Sequence, residues 1–331
     1  HSTSRRQRQM CIRDRVEAIR KIMKQGLKAE ICGLARTTQN DIDVALKSDL
    51  KYIHTFIATS DIHLQYKLKM TREQVLEKAI YAVEYAKKHG LVVEFSAEDA
   101  TRSDIQFLNK IFKSVAETGA DRIDIPDTVG YSTPQYMSRL VSEVADVTGL
   151  PVSVHCHNDF GLAVANSIAG FQAGASCAHV TINGLGERAG NAALEELVMA
   201  CQCLYQIPHN IITEQLYDVS KFVSSAMGII VQPNKAIIGE NAFGHESGIH
   251  THGIINNPLT YEPISPELVG RKRWMQAGKH AGAHGIKAIL DEFGITASDL
   301  QLKEIVEKQK SIADGGKSIT CLLYTSDAAD D

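Results

Sequence analysis

Two histidines separated by a single residue are the first residues in this sequence that could do chemistry. His155 and His157 end an apolar run, residues 151–159, that has the composition of a buried strand. Side chains alternate along a strand, so both imidazoles fall on one face and can reach one divalent cation. The alternative is a pair of hydrogen-bonded core histidines. The remaining motifs bear on this choice.

A second group of functional side chains lies on an acidic strand. Glu94, Ser96 and Glu98 alternate and therefore share a face. A carboxylate inside the mouth of a barrel is poorly solvated, so the pKa of Glu94 is predicted to rise toward a value useful for proton transfer. A salt-bridged, structural Glu94 is an equal alternative.

A glycine-rich loop precedes Asn191. Its spacing, Gly184-x-Gly186-x-x-x-Gly190, is one residue too long for the dinucleotide-binding pattern, which argues against a Rossmann site. Asn191 opens the predicted helix that follows, where an asparagine is often the N-cap. Its amide oxygen could instead face the site at the end of the preceding strand.

Two further histidines, His245 and His250, have the spacing His-Glu-x-x-x-His. This is one residue longer than the zinc-protease pattern and rotates the second histidine off the face of the first, so a protease is not indicated. His250, in a segment that is predicted to be loop-rich, is interpreted as a mobile acid/base or interface residue.

The elements that must position these residues alternate from about residue 16 between strand-like and helix-like segments. Six strand-then-helix units predict an α/β fold with a parallel sheet. Polar residues end strand after strand, which favours the top of a TIM (β/α)₈ barrel over an open doubly wound sheet. The predicted strands are 29–36, 52–59, 91–99, 122–127, 152–159 and 177–183, and the predicted helices are 38–47, 105–118, 163–173, 192–205 and two that start near Thr71 and Thr133.

Six units are two short of eight, so we expect a barrel that lacks its first two strands, with residues 16–26 as the tail of the second helix. The two ends differ in composition from the rest and resemble translated adapter sequence. The predicted division is a non-native tail at 1–15, a partial barrel at 16–208, a small, mainly helical linker and accessory region at 209–320, and a second non-native tail at 321–331.

Composition narrows the class of protein. The chain has 331 residues, 44% of them hydrophobic, and a net charge of −4, which argues against a nucleic-acid surface. It has no apolar run of 18 residues, so no membrane span is predicted. Its seven cysteines show no disulfide spacing, which indicates a reducing cytoplasm. The predicted partners are small molecules and further copies of the chain.

Five motifs, in this order along the chain, together resemble the 2-isopropylmalate synthase and homocitrate synthase family, and most of all its archaeal-type 2-isopropylmalate synthases. The resemblance runs from about residue 27 to about residue 294. It implies an acetyl-CoA-dependent, Claisen-type acyltransferase on a TIM barrel with a divalent metal, Mg²⁺, Mn²⁺ or Zn²⁺. The motifs cover residues 94–104, 127–130, 155–161, 183–191 and 245–250.

The resemblance also implies roles for individual residues. His155 and His157 would be metal ligands, with Asn191 at the same site. Glu94 would be catalytic, and His250 would reach the active site of the partner subunit in a homodimer. The substrate would be a 2-oxo acid, with 2-oxoisovalerate converted to 2-isopropylmalate in leucine biosynthesis. The residues implied to line the 2-oxo acid pocket are His54, Ser96, Thr128 and Asn158.

The sequence departs from the family pattern at three points. The Arg-Asp-x-Glu motif of the first strand, which supplies a metal-binding Asp and a substrate-binding Arg, does not occur, nor does the leucine-binding regulatory domain. His252 stands where an acidic residue is expected. Two alternatives therefore stay open. One is a citramalate or homocitrate synthase of the same barrel type, and the other is an inactive fragment whose barrel cannot close.

Overall fold

The computed structural model describes residues 16–245, 248–275, 283–292 and 294–314, and the predicted tails at 1–15 and 321–331 lie outside them. The chain forms two compact units, the first ending at Leu197 and the second beginning at Val198. No helix in the described ranges combines the length and apolar content that a membrane span needs.

A parallel sheet of six strands organises the first unit. The strands follow chain order from one edge to the other, as a repeated β/α unit requires. The strands are β1 (Cys32–Arg36), β2 (Tyr52–Ala58), β3 (Val92–Glu98), β4 (Arg122–Asp127), β5 (Val152–Cys156) and β6 (Cys177–His179). The α-helices between and after them are Gln39–Lys47, Asp61–His63, Arg72–Lys88, Ile105–Thr118, Pro134–Thr148, Ala163–Gln172 and Leu194–Ala200, and residues 16–23 are also helical.

Capping residues explain where these helices begin. Thr71 and Gln74 form a capping box, in which each side chain accepts a hydrogen bond from the backbone N–H of the other. The Asp104 carboxylate accepts from a first-turn N–H at 2.9 Å. Pro134 occupies the first turn of its helix, where its missing N–H costs nothing. Each polar cap contributes roughly 1 kcal/mol.

The sheet has one apolar and one polar face. On the apolar face the strands pack against the helices, and Phe95 of β3 meets Phe112 edge-on with ring centroids 6.3 Å apart. The alternate positions of the same strands point to the opposite face. This second face carries the side chains of His54, Glu94, Ser96, Asp124, Ser153, His155 and His179.

The polar face lies on the inside of a curled sheet. The ring centroids of His54 on β2 and His179 on β6 are 5.2 Å apart. In a flat sheet these strands, four spacings apart, would be separated by about 19 Å. The sheet therefore curls around its polar face, as part of a barrel wall does.

The last two strands of the sheet, β5 and β6, are shorter than predicted. β5 ends at Cys156, and β6 ends at His179 because the chain turns helical at Ile182–Gly184 with Asn183 at a positive φ of 62°. The helix that was predicted from residue 192 begins at Leu194 and changes at residue 201 into a π-helical turn. Loop contacts replace strand pairing beyond these ends.

The second unit contains helices and one two-stranded sheet. Arg271 is buried, donates at 3.1 Å to the carbonyls of both Ile238 and Glu240, and lies over the ring of Tyr217 with 4.6 Å from guanidinium carbon to centroid. The prediction of a loop around His250 is wrong, because His250 lies on a helix. The helices are Leu216–Met227, Gly248–Asn256, Ala283–Glu292 and Asp299–Asp314, and the strands are β7 (Gly244–His245) and β8 (Trp274–Met275).

Candidate functional site

Four imidazoles lie in a row on the polar face of the first unit. The strand register pairs His54 with Glu94 and His155 with His179, so residues at the same depth lie side by side. The ring centroids are 5.2 Å apart for His54 and His179, 5.5 Å for His179 and His155, and 5.1 Å for His155 and His157. The curl of the sheet thus gathers side chains from three strands into one site.

The structure brings His155 and His157 together. Their Nε2 atoms are 3.3 Å apart. His155 is the last residue but one of β5, and the backbone of His157 pairs with Asn191 in an isolated antiparallel bridge. The extended backbone therefore continues one residue past the strand, which keeps both imidazoles on one side.

Asn191 reaches the same place from the loop after β6. Its side-chain N–H donates to the carbonyl of Leu185 at 3.1 Å. Its Oδ1 is buried and accepts no hydrogen bond. Asn191 is not the N-cap of the next helix, because that helix begins three residues later at Leu194. An amide oxygen left without a partner beside His157 marks a position for a ligand.

Glycines make this loop tight enough to deliver Asn191. A Cβ on Gly186 would lie 2.0 Å from the Asn191 Nδ2, and one on Gly190 would lie 2.0 Å from the carbonyl oxygen of Gly184. Gly190 also has a φ of +89°, which favours glycine. The glycine pattern that resembled a dinucleotide fingerprint therefore serves a close approach of backbone to side chain.

The three side chains fit a divalent metal. Burial lowers the pKa of His155 to about 4, although the nearby Asp124 opposes this. Burial, helped by the charge of Arg188, also lowers the pKa of His157. Both imidazoles are therefore neutral at pH 7 and offer nitrogen lone pairs, as metal ligands must. Two nitrogens and one amide oxygen suit Zn²⁺ or Mn²⁺, and Mg²⁺ less well.

A buried polar network adjoins this group. His179 stands between two carboxylates, with its Nε2 3.3 Å from Glu94 Oε1 and its Nδ1 3.6 Å from Asp124 Oδ1. His54 Nε2 is 2.5 Å from Ser96 Oγ, and the Ser96 hydroxyl donates to Asp124. Ligand-type atoms of His54, Glu94 and His179 all lie within 4.8 Å of one another.

The predicted rise in the pKa of Glu94 is wrong. Burial does raise it, but the imidazole of His179, with smaller contributions from the Ser153 hydroxyl and from His54, outweighs burial and lowers the pKa to about 2. Burial likewise lowers the pKa of His179, but Asp124 and Glu94 together outweigh it and raise the pKa to about 9. At neutral pH Glu94 is thus an anion paired with a protonated His179.

Sequence reasoning missed Asp124 and His179. A signal for Asp124 exists, because it alternates with Ile123 and Ile125 and so had to point away from the apolar face. His179 could have been found in the same way, because it alternates with Ala178, although its strand has only three residues. Their partners on β2 and β3, however, become apparent only once the curl of the sheet is known.

Arg188 ties together the loops that follow β4, β5 and β6. Its guanidinium donates to both carboxylate oxygens of Asp159, at 2.7 and 2.9 Å, and to the carbonyl of Thr128 at 2.7 Å. Gly130 packs against the same loop, since a Cβ there would lie 2.7 Å from Asp159 Oδ2 and 2.9 Å from the His157 carbonyl oxygen. These contacts fix the loop that carries the second histidine.

Thr128 and Asn158 lie on two of these loops, and Asn158 directly follows His157 in sequence. The Thr128 hydroxyl oxygen accepts from the backbone N–H of Asp99 at 2.8 Å, which leaves its own O–H to donate. Asn158 Oδ1 accepts from the N–H of Ala163 at 3.2 Å, at the start of a helix. Its Nδ2 group is the part that could meet a substrate.

His250 belongs to the second unit. Its ring stacks on Tyr261, with centroids 4.0 Å apart and planes at 27°. His245, the first histidine of the same motif, is instead buried with its Nε2 3.1 Å from Glu262 Oε1. The two histidines therefore have different partners within this unit.

The curled β/α sheet with a metal-capable group at its carboxyl end defines a class of parallel-barrel proteins, and comparison with known sequences identifies the family. The chain belongs to the HMGL-like family, whose model matches residues 10–223. Residues 237–317 match a second model, described as homocitrate synthase post-HMGL domain-like. The family resemblance predicted from the motifs is confirmed.

Curated relatives are synthases. The chain is 56% identical over 301 residues to the probable 2-isopropylmalate synthase of Methanopyrus kandleri, covering 91% of this chain and 60% of that protein. It is 52% identical over 304 residues to the putative (R)-citramalate synthase of Methanothermobacter thermautotrophicus, covering 92% of this chain and 61% of that protein. The chain therefore spans about three-fifths of the length of both relatives.

Solved structures support the fold. The hydroxymethylglutaryl-CoA lyase of Pseudomonas aeruginosa matches with a TM-score of 0.55 at 20% identity, over 61% of this chain and 71% of that chain. At this identity the likeness concerns the fold alone. It agrees with the family match in assigning the six-stranded sheet to the HMGL-like TIM-barrel superfamily.

Proposed function

We propose that this chain is part of an acyltransferase that condenses acetyl-CoA with a 2-oxo acid in a divalent-metal-dependent Claisen reaction, with 2-oxoisovalerate as the acid and 2-isopropylmalate as the product. The observation that carries the proposal is the juxtaposition of two neutral imidazoles, 3.3 Å apart, with the unpartnered amide oxygen of Asn191 and an ionised Glu94 on one face. The names of the relatives, which are longer proteins, support the same reaction class.

We also infer the architecture in which this site would work. The six strands would belong to an eight-stranded barrel, with residues 16–208 in the barrel and residues 209–320 in an accessory region that contributes to a homodimer. The likeness to the HMGL-like family and to the post-HMGL model supports this division.

His155, His157 and Asn191 would hold the metal. When bound, a divalent ion supplies a Lewis acid that polarises the keto group of a 2-oxo acid. Thr128 and Asn158 would orient the acid, because the Thr128 O–H and the Asn158 amide N–H groups can donate to a carboxylate. His54 and Ser96 would complete the pocket from the neighbouring strands.

Glu94 and His250 would move the protons. With a pKa of about 2, Glu94 is a weak base while His179 is its partner. A substrate group that separates the carboxylate from the imidazolium would remove that stabilising charge and raise the pKa of Glu94. Glu94 would then accept a proton from the methyl group of acetyl-CoA only after the site is filled. His250 would serve hydrolysis of the thioester in the active site of the partner subunit, as the family resemblance implies.

An assay of thiol release from acetyl-CoA tests the proposal with the 331-residue chain. Release with 2-oxoisovalerate in the presence of Mn²⁺ is expected, and His157→Ala should reduce it at least a hundredfold, while the exposed His89→Ala should not. No release with any 2-oxo acid would refute the proposed activity and support the fragment alternative.

The second candidate is citramalate synthesis from pyruvate, which is favoured by the 52% identity to a citramalate synthase. The two differ in one substrate, so the same assay separates them. A higher kcat/KM for pyruvate than for 2-oxoisovalerate would establish the citramalate reaction. A preference for 2-oxoglutarate would instead point to homocitrate synthesis.

A further inference from the structure

The polar network beside the predicted metal ligands is itself built like a metal site. We propose that His54, Glu94 and His179 form a second divalent-cation site, selective for a nitrogen-preferring ion such as Zn²⁺ and separate from the group formed by His155, His157 and Asn191. This proposal concerns binding and holds whether or not the chain catalyses a condensation. An ion bound there would occupy Glu94 and so keep it from serving as the base of that reaction.

The distance between Glu94 and His179 matches that of two ligands around one ion. Ligand-type atoms of His54, Glu94 and His179 lie within 4.8 Å of one another, and His179 Nε2 is 3.3 Å from Glu94 Oε1. Two such atoms, each at about 2.1 Å from zinc, would subtend about 105° at the ion, close to the tetrahedral angle. Glu94 and His179 thus need little rearrangement to share a cation, which would displace the proton that His179 carries at neutral pH. His54 lies near both and would be the third ligand.

The orientation of Glu94 supports a cation that it shares with His179. Its Oε1 is buried and makes no well-aligned hydrogen bond, although His179 Nε2 is only 3.3 Å away. The side chain is 13% exposed, so water covers little of it. A buried carboxylate oxygen that is close to an imidazole but poorly aligned with it is positioned to bind the same third group as that imidazole.

The surroundings of the two histidines resemble the second layer of a metal site. Ligating histidines usually bind the metal through one nitrogen while a carboxylate or other acceptor holds the opposite nitrogen. His179 has this arrangement, with Nε2 toward Glu94 and Nδ1 3.6 Å from Asp124, which is 1% exposed. Ser96 links Asp124 to His54, with 2.5 Å between Ser96 Oγ and His54 Nε2. One buried carboxylate therefore orients both imidazoles.

The chemistry of the donors selects the ion. Two imidazoles and one carboxylate form the His₂Glu set that binds zinc in several enzymes, with a fourth position open. Mg²⁺ prefers six oxygen ligands and would bind this set weakly. The partly buried carboxylate of Glu94 and the buried carboxylate of Asp124 supply the negative charge that a dication needs.

Counting bound zinc tests the proposal. Metal-free protein is dialysed against Zn²⁺ at a fixed free concentration, and bound zinc is measured per chain. Wild-type protein and His89→Ala, which removes an exposed histidine, should each bind two equivalents. His179→Gln should lose one equivalent and His157→Ala should lose the other. Co²⁺ can replace Zn²⁺ so that each site is followed by its visible absorption.

Two results would overturn the second site. One is a His179→Gln protein that keeps both equivalents, and the other is a His157→Ala protein that loses both. One equivalent lost in His179→Gln and none in His157→Ala would keep the second site and remove the metal site of the proposed function. If His179→Gln fails to fold by circular dichroism, His54→Gln takes its place. In crystals of the wild-type protein, anomalous diffraction at the zinc edge must then show an ion between His54 and Glu94. The absence of that ion would refute the proposal.

Discussion

Replacing Gly190 by alanine should displace Asn191 and weaken metal binding by tenfold or more. A Cβ at this position would lie 2.0 Å from the carbonyl oxygen of Gly184, which must move by about 1.4 Å to reach an ordinary contact. That movement disrupts the hydrogen bond from the Asn191 N–H to the same oxygen, 3.0 Å long, at a net cost of roughly 0.5–1.5 kcal/mol. The left-handed conformation adds roughly 1–2 kcal/mol for a residue with a Cβ.

The expected total is a loss of roughly 1.5–3.5 kcal/mol in the free energy of unfolding, measured by urea denaturation. Mn²⁺ affinity is measured by titration calorimetry on the same samples. Gly149→Ala is the matched control, because Gly149 has a φ of +64° but no atom within 4 Å of a Cβ. Gly149→Ala should lose only the roughly 1–2 kcal/mol that the left-handed conformation costs, and its Mn²⁺ affinity should not change. Equal losses in the two variants, with Mn²⁺ affinity unchanged in both, would refute this reasoning about the loop.

Two further predictions concern the ionic network and the core. The folded-state pKa of His179 is about 9 against an ordinary value of 6.5, so its contribution to stability is complete below about pH 6.5 and is lost as the pH rises through 9. Urea denaturation between these values should show wild-type stability falling more steeply than that of His179→Gln, and parallel profiles would contradict the ion pairing. Phe112→Ala should cost roughly 3–5 kcal/mol because Phe112 is fully buried, whereas Phe160→Ala at an exposed position should change stability by less than about 0.5 kcal/mol. Similar losses in both would show that the apolar face is not the main core.

Local signals in the sequence determined most of the secondary structure of the first unit. The helix predicted at 105–118 and the strand predicted at 122–127 have these bounds in the structure. The helix starts near Thr71 and Thr133 were also correct, because capping groups act on the next turn of the chain. Alternation along the strand likewise placed His155 and His157 on one side.

Tertiary structure decided the composition of the site. His179 meets His54 and Glu94 only because the sheet curls, and no pattern within β6 specifies that contact. The same contact reverses the expected pKa of Glu94, since a pKa depends on which charges lie within a few ångströms in space. Sequence thus predicts which side chains share the polar face of the sheet, and the curl of the sheet determines which of them interact.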